Sequence, residues 1–307
     1  MSLRAATGVG LIAIPLWSSL ATLTVLAKGI PPLQLVAMSF ALAALTGGAV
    51  LVVRPRMRYE LRQFTLPAAV LGAGGLLFYH AFYFFALSIA PPLEASLVNY
   101  LWPLLIVLLS ALLPGAGRLH WHHVAGALVG LSGALLAISK GQAVQLEAGA
   151  IAGYGLALAA AVTWAGYSVL SRLFAAVPSS TVTVYCAVTA VAGGLASVIL
   201  ETPVWQLSTQ QGLAVLALGL GPLGLAFYVW DHGCKRGDLR VLGAAAYFAP
   251  LLSSALLVAC GLSEASPVLW LAAIAIAGGA VLASKDLLFR RRPAAPDARA
   301  PSQRPAA

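Results

Sequence analysis

Charge is what this sequence has least of. Asp, Glu, Lys and Arg make up 9% of its 307 residues, whereas a soluble domain carries about 25%. So few charges cannot cover a globular surface, which excludes water as the main solvent. Cysteine is scarce as well. Cys186, Cys234 and Cys260 show no CxxC or CxxH spacing, so neither a metal site nor a disulfide framework is expected, and they read as small buried apolar side chains. There is no Walker phosphate loop, so ATP hydrolysis by this chain is excluded and no cofactor is called for.

What fills the sequence is apolar: 61% of residues are hydrophobic and the mean hydropathy is +0.92. The apolar residues fall into ten stretches, at about 7–27, 33–53, 64–89, 93–113, 122–139, 148–170, 180–200, 212–232, 239–262 and 265–283. Each is long enough, or nearly so, to cross a hydrocarbon layer of about 30 Å as a helix. Helices satisfy their own backbone groups, which lipid cannot do. Barrel strands are shorter and alternate in polarity, so a transmembrane barrel is excluded. The first stretch reads as a permanent span rather than a cleaved leader, because its apolar run is long and has a twin deep in the chain.

The net charge is +9, but the basic residues sit in short gaps between spans rather than in one patch, which argues against nucleic acid as a partner. Their distribution has a direction. Sixteen of the eighteen Lys and Arg fall on the side of the N-terminus: Arg4, Arg54, Arg56, Arg58, Arg62, Arg118, Arg172, Lys235, Arg236, Arg240, Lys285, Arg290, Arg291, Arg292, Arg299 and Arg304. Only Lys28 and Lys140 fall on the other side. The positive-inside rule then places both termini in the cytoplasm. Residues 287–307, rich in Pro, Ala, Ser and Arg, read as a disordered basic cytoplasmic tail.

A repeat underlies the ten spans. Trp17 and Trp164, Pro31 and Pro178, Tyr100 and Tyr247, and Pro103 and Pro250 are each separated by 147 positions, and "NYLWPLL" at 99–105 lines up with "AYFAPLL" at 246–252. The chain divides into residues 1–140 and 147–286, five spans apiece. Five is odd, so the second half threads the membrane in the opposite sense. Inverted repeats are an architecture of secondary transporters, with the substrate near the midplane where the halves meet.

One stretch inside this greasy sequence is unusually polar: "YHAFYFFALSIAPPLEASLVNYLWP", residues 79–103. The Ala90-Pro91-Pro92 link makes the third and fourth spans antiparallel neighbours. Tyr79 and Tyr83 are four apart and share a helical face, which His80 borders; Asn99 and Trp102 are three apart, as are Tyr100 and Pro103. Counted back from the link, His80 and Asn99 lie at similar depth in the outer half of the membrane. Polar groups at such depth face the bundle interior or a wet cavity. Pro103 deprives the carbonyl of Asn99 of its helical partner, and Pro250 does the same to Ala246. Flat apolar rings with a few directional donors suit a small ligand with an aromatic or apolar side chain and a polar head. The candidate substrate contacts are Trp17, Tyr79, His80, Tyr83, Asn99, Tyr100, Trp102, Trp164 and Tyr247, with Pro103 and Pro250 as helix breakers.

Plainer readings stand beside these. Trp205 and Trp270 fit an interfacial aromatic belt, and Phe82, Phe84 and Phe85 face lipid or neighbouring helices. His80 could bond a helix carbonyl, and Asn99 could join helices. Glu94 suits the positive end of a helix dipole. Asp231 and His232, next to Lys235 and Arg236, read as a surface ion pair. Gly72 and Gly74, Gly126 and Gly130, Gly149 and Gly153, and Gly193 with Gly194 read as close-packing positions.

The prolines of the fourth and ninth spans, the "AL" closing the third before a short Pro-bearing loop, and Glu264 just after the ninth together resemble the drug/metabolite transporter superfamily, EamA branch, over residues 5–288 or so. The His-bearing aromatic third span and "NYLWP" are most similar to its exporters of aromatic amino acids. The resemblance implies an all-α polytopic protein of the inner membrane, acting as a monomer without metal or cofactor. It implies export, by alternating access, of amino acids, aromatic or otherwise hydrophobic, and of related small metabolites. The alternative is a multidrug exporter of lipophilic cations, which needs a carboxylate deep in the cavity; Glu94 is the candidate, near the outer rim. An intramembrane enzyme would need a nucleophile and base at depth; Ser96 and His80 lack a third orienting group.

Overall fold

The computed structural model describes residues 1–114, 119–139, 141–143, 147–261, 267–283 and 285, and every regular element in them is helical. In chain order the apolar helices are α1, in three segments Leu3–Leu11, Ala13–Ser18 and Leu20–Leu26; α2, Pro32–Val53; α3, Leu66–Ile89; α4, in segments Pro92–Asn99 and Trp102–Leu109; and α5, Trp121–Ser139. They continue with α6, Ile151–Leu170; α7, Val182–Leu200; α8, in segments Thr209–Leu220 and Ala226–Arg236; α9, in segments Leu239–Ala246 and Phe248–Ala259; and α10, Val268–Ala283. Seven of these are long and apolar enough to cross a membrane, and the shorter α5, α9 and α10 complete ten apolar helices among the described residues. Glu264, Arg118, Lys140 and the tail 287–307 lie outside the described residues, as do the side chains of Glu94 and Phe84.

Helix starts follow from local chemistry. Proline in the first turn opens α2, α3 and α4, where its fixed φ fits and its missing N–H is no loss. Ser208 and Gln211 form a capping box at α8, and Asp238 accepts from the backbone of Arg240 and Val241 at α9. The start of α2 is capped from a distance: Glu201, just past α7, accepts from the N–H groups of Leu33 and Gln34 at 2.8 and 3.0 Å, setting a negative charge on the positive end of the helix.

Helix breaks follow from proline. A proline cannot donate to the carbonyl four residues back and its ring crowds that carbonyl. Three segments end at that residue: Leu11 before Pro15, Asn99 before Pro103 and Ala246 before Pro250. Near Pro222 the helix adopts a π turn instead, over Gly221–Leu225. The breaks expected at Pro103 and Pro250 are therefore present, at equivalent places in α4 and α9.

The helices pack in a consistent scheme. α2 lies against α7, α5 against α10, α3 against α6, α1 against α8, and α4 against α9. Small residues set the closest approaches. A Cβ added to Gly126 would lie 2.5 Å from the carbonyl oxygen of Gly279, and one on Gly10 would lie 2.9 Å from the Cα of Gly233, so α5–α10 and α1–α8 touch backbone to backbone. Gly74 and Gly149 meet no such neighbour. Trp205 and Trp270 are strongly exposed and Phe85 half so, as a lipid-facing or interfacial position requires.

Candidate functional site

Four helices each place one indole at the centre of the bundle. Trp17 comes from α1, Trp102 from α4, Trp164 from α6 and Trp230 from α8. Every one of the six pairs is in contact, with ring centroids between 4.9 Å for Trp17–Trp230 and 6.4 Å for Trp102–Trp164. Four of the six are edge-to-face, the arrangement that sets the positive rim of one ring against the negative face of another. The breaks in α1 and α4 lie beside Trp17 and Trp102.

Further rings extend the cluster. Phe227, one turn before Trp230, is 6.0 Å from Trp17 and 5.6 Å from Trp164, and stacks on Phe40 of α2 at 5.5 Å. Phe40 meets His80 at 5.2 Å, edge-on. Tyr79 lies 5.3 Å from Trp164 and stacks on Tyr83 at 6.1 Å. Trp102, Trp164 and Trp230 are buried and Trp17 is partly buried, so the rings form a compact cluster in this conformation. A cavity of about 240 Å³, lined by Gly47, Leu51, Thr183, Gly224 and Tyr228 among others, lies beside α2, α7 and α8 and is not lined by the indoles.

The polar groups of the cluster divide into satisfied and unsatisfied. Trp17 donates its indole N–H to the carbonyl of Pro222 at 3.1 Å, which the π turn presents, and Trp230 donates to Ser168 Oγ at 3.0 Å. His80 Nδ1 is 2.7 Å from the carbonyl of Leu76, so the carbonyl bond weighed for it is present, alongside its ring contacts. Tyr83 OH and Ser96 Oγ share a bond of 2.9 Å. Asn99 donates to Tyr79 OH at 3.3 Å, while its buried carbonyl oxygen Oδ1 has no partner among the described residues. Tyr100 lies close to the phenols of Tyr79 and Tyr83.

Eight of the nine expected contacts thus meet around one centre. Tyr247 does not. Fully buried, it packs with Val107, Ala127, Ala134 and Ile276 and lies against Gly130, in a second core between α5, α9 and α10. The 147-residue offset links it to Tyr100, but the two side chains occupy different surroundings. The sequence reading also missed Trp230, Phe227 and Phe40. The signal was available for α8: Phe227, Trp230 and Cys234 fall at i, i+3 and i+7, a helical stripe, and all three are buried.

A second correction concerns Asp231 and Lys235. They form an ion pair, with Nζ 2.8 Å from Oδ2, but it is enclosed, with side-chain exposures of 1% for Asp231 and 3% for Lys235. The surface reading failed because the end of α8 does not emerge there: α1 crosses it at Gly233, and Arg172, from just past α6, donates to the carbonyls of Cys234 and Gly237.

A family model described as the EamA-like transporter family matches residues 6–139. Over 292 residues the chain is 47% identical to a protein of Ancylobacter novellus named aromatic amino acid exporter YddG, covering 95% of this chain and 100% of the relative. Proteins of the same name from Salmonella typhimurium and Escherichia coli are 29% and 28% identical, each over 92% of this chain and 97% of the relative. A crystal structure 46% identical in sequence superposes with a TM-score of 0.86, over 94% of this chain and 99% of its own.

Proposed function

The chain belongs to the EamA-like transporter family, and from that premise we propose that it exports aromatic amino acids across the cytoplasmic membrane by way of the indole cluster. The observation that carries the substrate class is the cluster itself: four indoles in mutual contact at the meeting point of α1, α4, α6 and α8, with Tyr79, His80 and Phe227 around them. An aromatic side chain entering there exchanges ring–ring contacts for ring–ring contacts. Asn99 Oδ1, without a partner among the described residues, offers an acceptor to its ammonium group.

Residues 1–140 and 147–286 act as inverted repeats, and alternating access follows from their exchange of conformations. Supporting this, the helix contacts come in mirror pairs: α3–α6 in one half of the scheme matches α8–α1 in the other, and α2–α7, α4–α9 and α5–α10 map onto themselves. The breaks at Pro103 and Pro250 match likewise. Both termini face the cytoplasm, the protein acts as a monomer, and the substrate moves down its gradient without obligate proton exchange. Cells overproducing the protein and preloaded with labelled phenylalanine should release it faster than cells without it. Unchanged efflux of phenylalanine, tyrosine and tryptophan would remove the assignment, and a stoichiometric proton flux abolished by His80→Asn would overturn the uncoupled mechanism.

A further inference from the structure

The ion pair Asp231–Lys235 is left unexplained by the aromatic cluster. Both charges are enclosed. Taking two charges out of water is costly, and apolar residues of similar volume are commonly as stable or more so. Charged side chains kept inside a membrane bundle mark ligand or ion sites as a rule. This pair is also under-satisfied. Asp231 Oδ1 accepts from Tyr167 OH at 3.4 Å, but Lys235 Nζ, with three donors, has only Asp231 beside it among the described residues. Arg172 is occupied with the carbonyls of Cys234 and Gly237, so it competes for neither charge.

A narrow crevice between α3, α6, α7 and α8, with no room for even a water molecule in this conformation, reaches both charges and is walled by Leu71, Tyr167, Phe174 and Tyr185. Two glycines of α3 set its width. A Cβ on Gly72 would lie 2.2 Å from the ring of Tyr185, and one on Gly75 would lie 2.8 Å from Tyr167, so both phenols lie directly on the α3 backbone. Here the crevice is too narrow for a free amino acid. Tyr167 ties it to the centre, its ring 5.3 Å from Trp164. The pair therefore stands between the indole cluster and the Lys- and Arg-rich end of α8.

The geometry points to a docking site for the zwitterionic head of an α-amino acid at Asp231 and Lys235, on the cytoplasmic approach to the indole cluster. The substrate ammonium takes the place of Lys235 at the Asp231 carboxylate, and the substrate carboxylate takes the place of Asp231 at Lys235. One ion pair becomes two, the net charge of the crevice stays the same, and the spare donors of Lys235 gain an acceptor. The aromatic side chain lies against Phe174 and Tyr185 once the phenols lift from Gly72 and Gly75. An amine without a carboxylate, or an acid without an ammonium, leaves one buried charge unpaired and is disfavoured. This assignment rests on the aromatic amino acid reading and deepens it.

The test uses full-length protein in liposomes with three labelled indole compounds: tryptophan, tryptamine and indole-3-propionate. The parent is expected to carry tryptophan at least about tenfold faster than the other two, the scale of one charge-assisted hydrogen bond. Lys235→Met should lower tryptophan flux and reverse the preference, tryptamine now being carried faster than tryptophan because the amine leaves no buried charge unpaired, and Asp231→Asn should by the same reasoning come to favour indole-3-propionate. Lys235→Arg should restore the preference. An apolar double variant, Asp231→Leu with Lys235→Leu, keeps the crevice free of unpaired charge and should fold while carrying all three compounds with little discrimination. Parent-like preference in the double variant, or a uniform fall for all three compounds in the single variants, overturns the docking site while leaving aromatic export standing. A parent that carries none of the three overturns both.

Discussion

Trp164 touches the other three indoles, Tyr79, Tyr167 and Phe227 while being 3% exposed. Its ring thus links α6 to α1, α3, α4 and α8. Trp164→Ala should therefore cost about 3–5 kcal/mol of stability as a core truncation and lower tryptophan flux by at least about tenfold, since several ring contacts of about 0.5–1.5 kcal/mol each are lost. Trp164→Phe should recover most of the stability in a thermal melt and only part of the flux. Asn99→Leu removes the unpartnered acceptor without leaving a hole; flux should fall while the melting temperature holds or rises, because an unsatisfied buried oxygen goes with it. At this scale the sequence was legible where a rare residue stood out from an aliphatic background. Trp17 and Trp164 were found by their shared offset, and Tyr79, His80 and Asn99 by polarity at depth. Trp230 was hidden by the charges that follow it, which made the end of α8 look like surface. Tyr247 was misplaced because the repeat aligns backbones, whereas side-chain surroundings depend on neighbours that differ between the halves.

For elements, the prolines decide most. Pro103 breaks α4 beside Trp102, and Pro250 breaks α9 at the equivalent point. Replacing Pro103 with alanine restores a donor to the carbonyl of Asn99 and removes a residue about 3 kcal/mol worse than alanine in a helix interior. Pro103→Ala should raise the melting temperature and slow turnover, two effects of opposite sign that a packing defect would not produce together. Gly126→Leu should do the reverse of stabilising: with Gly279 backbone 2.5 Å from the first added carbon, α5 and α10 must separate, at a cost of about 1–3 kcal/mol measured by denaturation. Proline breaks were readable because their cause is local, the missing N–H and the crowded carbonyl four residues back. The π turn at Gly221–Leu225 was not, since it depends on Pro222 offering its carbonyl to Trp17 from another helix. Nor were the three segments of α1, where one proline acts together with tertiary contacts.

Across the whole molecule, span number and direction came from two independent patterns, the apolar lengths and the uneven Lys and Arg, and the ten apolar helices agree with the first. What pattern could not give is how the spans enclose their contents, so an ion pair assigned to the surface lies inside. The direction is open to a simple check. Cys260 is exposed past the end of α9, whereas Cys186 and Cys234 are buried. In spheroplasts a membrane-impermeant maleimide should label Cys260 from outside, and Cys260→Ala should abolish the labelling; protection of Cys260 until the membrane is opened would reverse the assigned orientation.

The most direct test of passage through the indole cluster is the flux of labelled tryptophan across liposomes containing purified protein, compared among the parent, Trp102→Phe and Trp164→Phe. These variants keep an aromatic ring and a buried core but lose the indole. The expected result is measurable tryptophan flux in the parent, reduced several-fold in each variant with the melting temperature nearly unchanged. Flux equal to the parent in both variants would contradict it.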